Sequence, residues 1–273
     1  MNHPNIAFIG AGNMAKSIIG GLLAEGFDPQ LLSASGLRQE NLDTIAAQFG
    51  IAVSTDNRQL AAQAEVVILA VKPQVLKSVA VELQPVLGHR PLIISVAAGI
   101  TTTSMSHWLG QDQAIVRCMP NTPSQLRLGA SGLYANALVN DAQKQQADRI
   151  LRAVGVVEWL TEERLLNAVT AVSGSGPAYF FLMMEAMIDA GVEQGLSRET
   201  ATELTLQTAL GAATLAQHSD VDVAELRRRV TSPKGTTEQA IKSFEQDDIR
   251  VIFQRAMNAC AARALALSEE LGE

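Results

Sequence analysis

Two short segments, far apart in the chain, carry residue types able to do chemistry. Near the start, Ile6-Ala7-Phe8-Ile9-Gly10-Ala11-Gly12-Asn13-Met14-Ala15 runs from a short apolar strand through a glycine turn into a helix over 13–25. Gly10 permits the tight turn, and Gly12 has no side chain to keep the backbone away from a pyrophosphate. Ala15, small in place of a third glycine, lets the helix lie close on the strand. The free N–H groups and positive dipole end of that helix would point at phosphates, so Gly10, Gly12, Asn13 and Met14 read as a dinucleotide site. The second segment is Val230-Thr231-Ser232-Pro233-Lys234-Gly235-Thr236-Thr237-Glu238-Gln239-Ala240, a loop that opens a helix. Thr236 followed three residues later by Gln239 fits a capping box. Ser232, Gly235 and the first helical N–H groups read as a nest for a small carboxylate, with the Thr237 hydroxyl free to reach the rest of the ligand.

The other strand ends bear on which dinucleotide binds. NAD-specific sites carry a carboxylate near the end of the second strand that bonds the ribose 2′-OH. Here that stretch is Ser33-Ala34-Ser35-Gly36-Leu37-Arg38, whose hydroxyls and guanidinium suit a 2′-phosphate. It therefore favours NADPH, with NADH as the alternative donor; the same stretch also reads as a helix start with a surface arginine. Ligands in open α/β sheets sit beyond the carboxyl ends of the strands. Ala70-Val71-Lys72-Pro73, Ala97-Ala98-Gly99 and Met119-Pro120-Asn121-Thr122-Pro123 are expected there, with the nicotinamide near Ala97 and Asn121. Lys72 reads as an anion contact or as a solvated loop lysine. Asn57, after the third strand, joins Ser33, Ser35 and Arg38 in the cofactor set.

These residues need a sheet to hold them. From Asn5 to about Leu160, short β-rich runs alternate with helical stretches, the pattern of a Rossmann-like, doubly wound, mostly parallel α/β sheet. Strands are expected at 6–9, 31–34, 52–53, 66–70, 92–96 and 114–117, with 132–135 and 156–160 extending one edge. Near Thr161 the β-alternation stops, and helical segments separated by Gly174-Ser175-Gly176-Pro177, Gly195-Leu196-Ser197, His218-Ser219-Asp220 and Ser232-Pro233-Lys234-Gly235 continue to Glu273. The expected domains are 1–161, cofactor-binding, and 162–273, all-helical, for dimerisation and substrate. Phe180, Phe181, Met183, Met184, Met187 and Ile188 make one helix apolar nearly all round, which needs burial in a bundle or against another subunit.

Composition narrows the partners. A chain of 273 residues is comfortable for two domains, and a net charge of −7 argues against a nucleic-acid surface or an anionic membrane face. Two distant cysteines, Cys118 and Cys260, offer no disulfide framework, which suits a reducing compartment. With neither an export signal nor a membrane span legible, the expectation is a cytoplasmic protein. His3, His89 and His107 read as surface or loop residues, His218 has no nucleophile beside it, and no metal-ligand spacing occurs.

The order of Gly10-Ala11-Gly12-Asn13-Met14, Ala70-Val71-Lys72-Pro73, Ala97-Ala98-Gly99, Met119-Pro120-Asn121-Thr122-Pro123, Ser173-Gly174-Ser175-Gly176-Pro177-Ala178-Tyr179 and the 232–237 loop resembles pyrroline-5-carboxylate reductase over nearly the whole chain. The last two motifs are the specific ones. The resemblance implies NADPH- or NADH-dependent reduction of the cyclic imine 1-pyrroline-5-carboxylate to L-proline, the last step of proline synthesis. It also implies interlocked helical dimers, assembled into larger rings such as a decamer, with substrate sites at the dimer interface. By the same resemblance Thr237 bonds the imine nitrogen, Ser232, Gly235 and Thr236 hold the carboxylate, and Asp220 is an acidic neighbour. One departure is Lys234, where the family loop usually has glycine.

Two other readings compete. Hydroxyacid dehydrogenases of similar architecture use a lysine on the first long helix of the second domain as proton donor. Here no lysine occurs between Lys144 and Lys234. A protonated imine is already an electrophile, so orientation and one hydrogen bond to nitrogen suffice. A non-catalytic NADPH sensor would keep the sheet, yet it has no need of an intact 232–237 loop.

Overall fold

Buried apolar runs form the centre of the sheet. The computed structural model describes residues 3–272. Its strands are β1 (Ile6–Ile9), β2 (Leu32–Ser35), β3 (Ala52–Ser54), β4 (Val66–Leu69), β5 (Leu92–Ser95), β6 (Ile115–Met119), β7 (Gly129–Ala135) and β8 (Gly155–Trp159). They lie in the order β3-β2-β1-β4-β5-β6-β7-β8. Every pairing is parallel except β6 with β7. All residues of β1, β2, β4 and β5 are buried, because helices cover both faces; β1, β4 and most of β5 accordingly read as apolar runs rather than alternating ones, whereas β2 buries Ser33 and Ser35 as well.

The period of two sorts each strand between two cores. The helices of this part are α1 (Asn13–Ala24), α2 (Gln39–Phe49), α3 (Asn57–Ala61), α4 (Pro73–Leu83), α5 (Thr102–Leu109), α6 (Asp141–Arg152) and α7 (Leu165–Val169). Ile6 and Phe8 face a core with Ile18 and Leu22 of α1 and Ile150 of α6. Ala7 and Ile9 face the opposite core, with Leu76 and Leu83 of α4 and Met105 of α5. The strand register carries the carboxyl ends of β1, β2, β4 and β5 to one edge, so the loops that follow them share one rim.

Backbone contacts divide the chain into two compact units, one running to Ser175 and including the chain from Cys260 onward, the other Gly176–Ala259. The change of sequence pattern at Thr161 marks the end of β8. The first unit continues beyond it because α7 and the π-helical turn Thr170–Gly174 pack on the sheet. A Cβ on Gly132 of β7 would meet the stiff Val169 side chain at 2.7 Å, so glycine there lets α7 approach the sheet; one on Gly174 would meet only the terminal methyl of Met119, at 2.5 Å, which can move aside.

The second unit contains α8 (Gly176–Glu193), α9 (Arg198–Gln217), α10 (Val223–Arg229), α11 (Thr236–Gln246) and the first part of α12 (Ile249–Leu271). Ser197 caps α9 by accepting the Thr200 N–H at 3.1 Å, and Gly195 makes the preceding turn at φ +102°. Few of its side chains are buried: Phe180, Phe181, Leu182, Leu204, Leu210 and Phe244 all stay exposed. Apolar helix faces of this extent need a partner surface. Among the described residues no helix is long and apolar enough to cross a membrane.

Candidate active site

The rim above β1 is built as an anion cradle. Gly10 has φ +102°, donates its N–H to Ser35 O at 3.1 Å, and lies so close to the next crossover that a Cβ would meet Ala70 O at 2.7 Å. Gly12 is different: a Cβ there would meet nothing within 4 Å. Gly10 is therefore required by the fold, whereas Gly12 leaves open space in front of α1, which it caps. No side chain caps α1, and its first turn has no acidic residue. Its N–H groups and dipole are thus available to a pyrophosphate. The two neighbouring helix starts also lack a side-chain cap, although α2 carries Glu40 in its first turn and α4 begins with Pro73, which has no N–H. Arg38 is the N-cap of α2 and Lys72 that of α4, neither with a side-chain cap bond, and both side chains are exposed. By contrast α3 is capped by Asp56, α5 by Thr101 and α6 by Asn140. Three uncapped helix starts with two cations face the rim after β1, β2 and β4, which fits a phosphorylated dinucleotide.

The serines of β2 do not stand on this rim. Ser33 pairs in register with Ala7, is buried, and turns its hydroxyl toward Ile6 O at 3.4 Å. Ser35 is fully buried and donates to Asn57 Oδ1 at 2.7 Å. Both faces of β2 are covered, so neither hydroxyl is free for a 2′-phosphate, and Arg38 remains the exposed group of that stretch. Ser35 instead fixes Asn57, whose Nδ2 lies 3.4 Å from Glu82 Oε2.

At the expected nicotinamide end, Ala97 is buried and donates its N–H to Ser95 Oγ at 3.3 Å, Ala98 is exposed, and Gly99 turns at φ +78° beside Leu267. Asn121 is also redirected. Its Nδ2 donates to Ser173 O at 3.0 Å and its Oδ1 accepts the Ala130 N–H at 2.9 Å, so both ends of the carboxamide are spent holding the Ser173-Gly174-Ser175 turn to β7. A cavity of about 260 Å³ within the first unit is lined by Ala97, Gly99, Arg117, Ser175, Cys260 and Arg263, among others. Cys260 Sγ donates to Ser175 Oγ at 3.3 Å. Cys118 is an inert core thiol: burial pushes its pKa up to about 12, against the weaker opposing effect of a hydrogen bond with Ser131. Arg117 and Glu163, ion-paired at 2.7 Å, are prominent residues here that motif reading passes over. The available signal was an arginine inside the apolar run Ile115-Val116-Arg117-Cys118, which a strand buries only with a partner.

The second unit holds the 232–237 loop. The Gly235 N–H donates to Ser232 O at 3.0 Å, closing a turn in which Lys234 has φ +61°. This left-handed conformation favours glycine, the residue the resemblance leads one to expect at this position. The N-cap of α11 is Gly235, without a side-chain cap bond, so the expected capping box from Thr236 to Gln239 does not form: Thr236 is already the first helical residue. Instead the Lys234 N–H donates to Glu238 Oε2 at 3.1 Å. The Lys242 ammonium, bonded to that carboxylate, and this N–H hold the Glu238 pKa below its usual value. Ser232, Thr236 and Thr237 are exposed beside the free first-turn N–H groups, and Asp220 is exposed in the loop before α10.

Known proteins place this geometry in a family. Residues 163–267 match the family described as pyrroline-5-carboxylate reductase dimerisation, and residues 5–99 match that described as NADP oxidoreductase coenzyme F420-dependent. The chain is 56% identical over 273 residues to pyrroline-5-carboxylate reductase of Pseudomonas aeruginosa, covering 100% of both. Its fold superposes on the structure of a pyrroline-5-carboxylate reductase from Coxiella burnetii with TM-score 0.94 and 48% identity, covering 98% of this chain and 99% of that one. A Plasmodium falciparum pyrroline carboxylate reductase with NADP bound superposes with TM-score 0.87 and 29% identity, covering 98% of this chain and 99% of that one. With identity of this level running the full length of both sequences, this chain belongs to the pyrroline-5-carboxylate reductase family.

Proposed function

We propose that the chain reduces 1-pyrroline-5-carboxylate to L-proline with NADPH, NADH being the alternative donor, in the last step of proline biosynthesis. The observation that carries the reading is the pair of glycine-capped helix starts, Gly12 on α1 and Gly235 on α11, each without a side-chain acceptor for its first N–H groups. One suits a pyrophosphate and the other a small carboxylate. The NADP bound to the Plasmodium falciparum relative supports the cofactor assignment. The cofactor, when bound, supplies a hydride.

In this reading Gly10, Gly12, Asn13 and Met14 shape the pyrophosphate cradle, and Arg38 and Lys72 meet phosphate charge. Asn57, Ala70, Val71, Pro73, Ala97, Ala98 and Gly99 border the rest. Ser232, Gly235 and Thr236 hold the substrate carboxylate, and the Thr237 hydroxyl bonds the imine nitrogen, with Asp220 nearby in sequence. The nitrogen arrives protonated, so the hydride reaches carbon without a separate acid and the product is a secondary amine. Residues 1–161 serve as the cofactor portion and 162–273 as the dimerisation and substrate portion. The exposed apolar faces of α8 and α9 support a homodimer, completed to a decamer as the larger state, in the cytoplasm. Spectrophotometry tests the reading. The wild-type chain should oxidise NADPH with pyrroline-5-carboxylate and leave a 2-keto acid untouched, and Thr237→Val should lower turnover about tenfold or more with unchanged NADPH affinity. Absence of imine-dependent oxidation would refute the function, and unaltered turnover would remove Thr237 from it.

A further inference from the structure

A half-buried carboxylate holds the loop that follows β5. The Thr102 N–H and Arg117 Nη1 both donate to Glu163 Oε1 at 2.7 Å, and the Thr102 hydroxyl donates to Oε2 at 2.9 Å. The Arg117 side chain is 9% exposed and that of Glu163 22%. Desolvating such a pair costs more than well-packed apolar residues in its place would, which leaves room for a role beyond stability. Its position supplies one. Thr102 is the first residue of α5, directly after the loop that carries Ala97, Ala98 and Gly99, while Arg117 lies on β6 two residues before Met119. Glu163 is the first residue of the segment matching the dimerisation family.

We propose that Glu163 and Arg117 are positioning residues for hydride transfer: the carboxylate clamps the 97–101 loop to the end of β6 and so fixes the surface offered to the nicotinamide. The inference rests on the function proposed above. The clamp joins three elements of the first unit, the start of α5, β6 and the chain leading into α7, through one side chain. Thr101, which caps α5 by accepting the Ser104 N–H at 3.0 Å, leaves the Thr102 N–H for Glu163. Neither Glu163 nor Arg117 needs to touch the substrate for this role.

The test uses the full-length protein with Glu163→Ala, Glu163→Gln and Thr102→Val. Single-turnover mixing with NADPH and pyrroline-5-carboxylate reads hydride transfer, a fluorescence titration reads NADPH affinity, and hydrogen exchange reads the 97–101 loop. Glu163→Ala should slow hydride transfer by about 10- to 100-fold, as misplacement of a reacting group does, while NADPH affinity stays near wild type and exchange in 97–101 accelerates. Glu163→Gln, which keeps an acceptor oxygen, should recover part of the rate, and Thr102→Val should fall between. Should Glu163→Ala fail to fold, the other two variants carry the same comparison. Wild-type hydride transfer in folded variants, with only a lower melting temperature, would overturn the proposal, as would unchanged exchange in 97–101. Exchange does not depend on the substrate: if the wild-type chain proved inactive on the imine, the functional reading would fail while loop exchange still judged the clamp.

Discussion

Gly10 and Gly12 sit two positions apart and answer to different constraints. Gly10 combines a positive φ with backbone 2.7 Å from any added Cβ, whereas Gly12 has ordinary φ −80° and open space. Gly10→Ala should therefore cost about 2–5 kcal/mol of stability, from strain plus overpacking. Gly12→Ala should cost about 1 kcal/mol or less, the difference between glycine and the poorer cap alanine, yet weaken NADPH binding markedly. Chemical denaturation and a cofactor titration check the pair, and equal destabilisation by both would contradict the distinction. At this scale residue types were legible in the sequence but side-chain directions were not. Ser33, Ser35 and Asn121 have the right chemistry for a ligand, yet each spends its polar atoms on the fold, because the residues flanking a buried strand end must satisfy neighbouring backbone before anything else.

Among elements, the helix starts carry the site. Strands and helices were readable from apolar runs and turn residues, and the strand ends match expectation to within three residues, β1 without any difference. The capping pattern was not. Thr236 and Gln239 have the spacing of a capping box, but the turn closed by Gly235 places the helix start one residue earlier and leaves the first N–H groups open. That turn holds Lys234 at φ +61°, a conformation that costs an L-residue roughly 1–2 kcal/mol. Lys234→Gly relieves the strain but adds unfolded-state entropy worth roughly 0.4–1 kcal/mol. The variant should thus be more stable by about 0.5–1 kcal/mol, read from the denaturation midpoint; a loss of stability would show that the lysine side chain itself braces the loop.

The whole molecule joins a unit with its own two-sided core to a unit without one. The sheet unit closes Ile6, Phe8 and Ile68 beneath α1 and α6, while Phe180, Phe181 and Leu210 of the helical unit stay exposed. Both properties were visible in the sequence, as buried-strand runs before Thr161 and as a helix apolar nearly all round after it. The boundary between compact units was not, because α7 and the turn at Gly174 dock on the sheet through close contacts with Val169 and Met119 that no local pattern announces. The central claim is that this molecule delivers a hydride to the imine carbon of pyrroline-5-carboxylate. The most direct measurement is mass spectrometry of proline made with NADPH deuterated at the transferred position. The account predicts one deuterium at the proline δ carbon, the former imine carbon; proline without deuterium, or no proline at all, would contradict it.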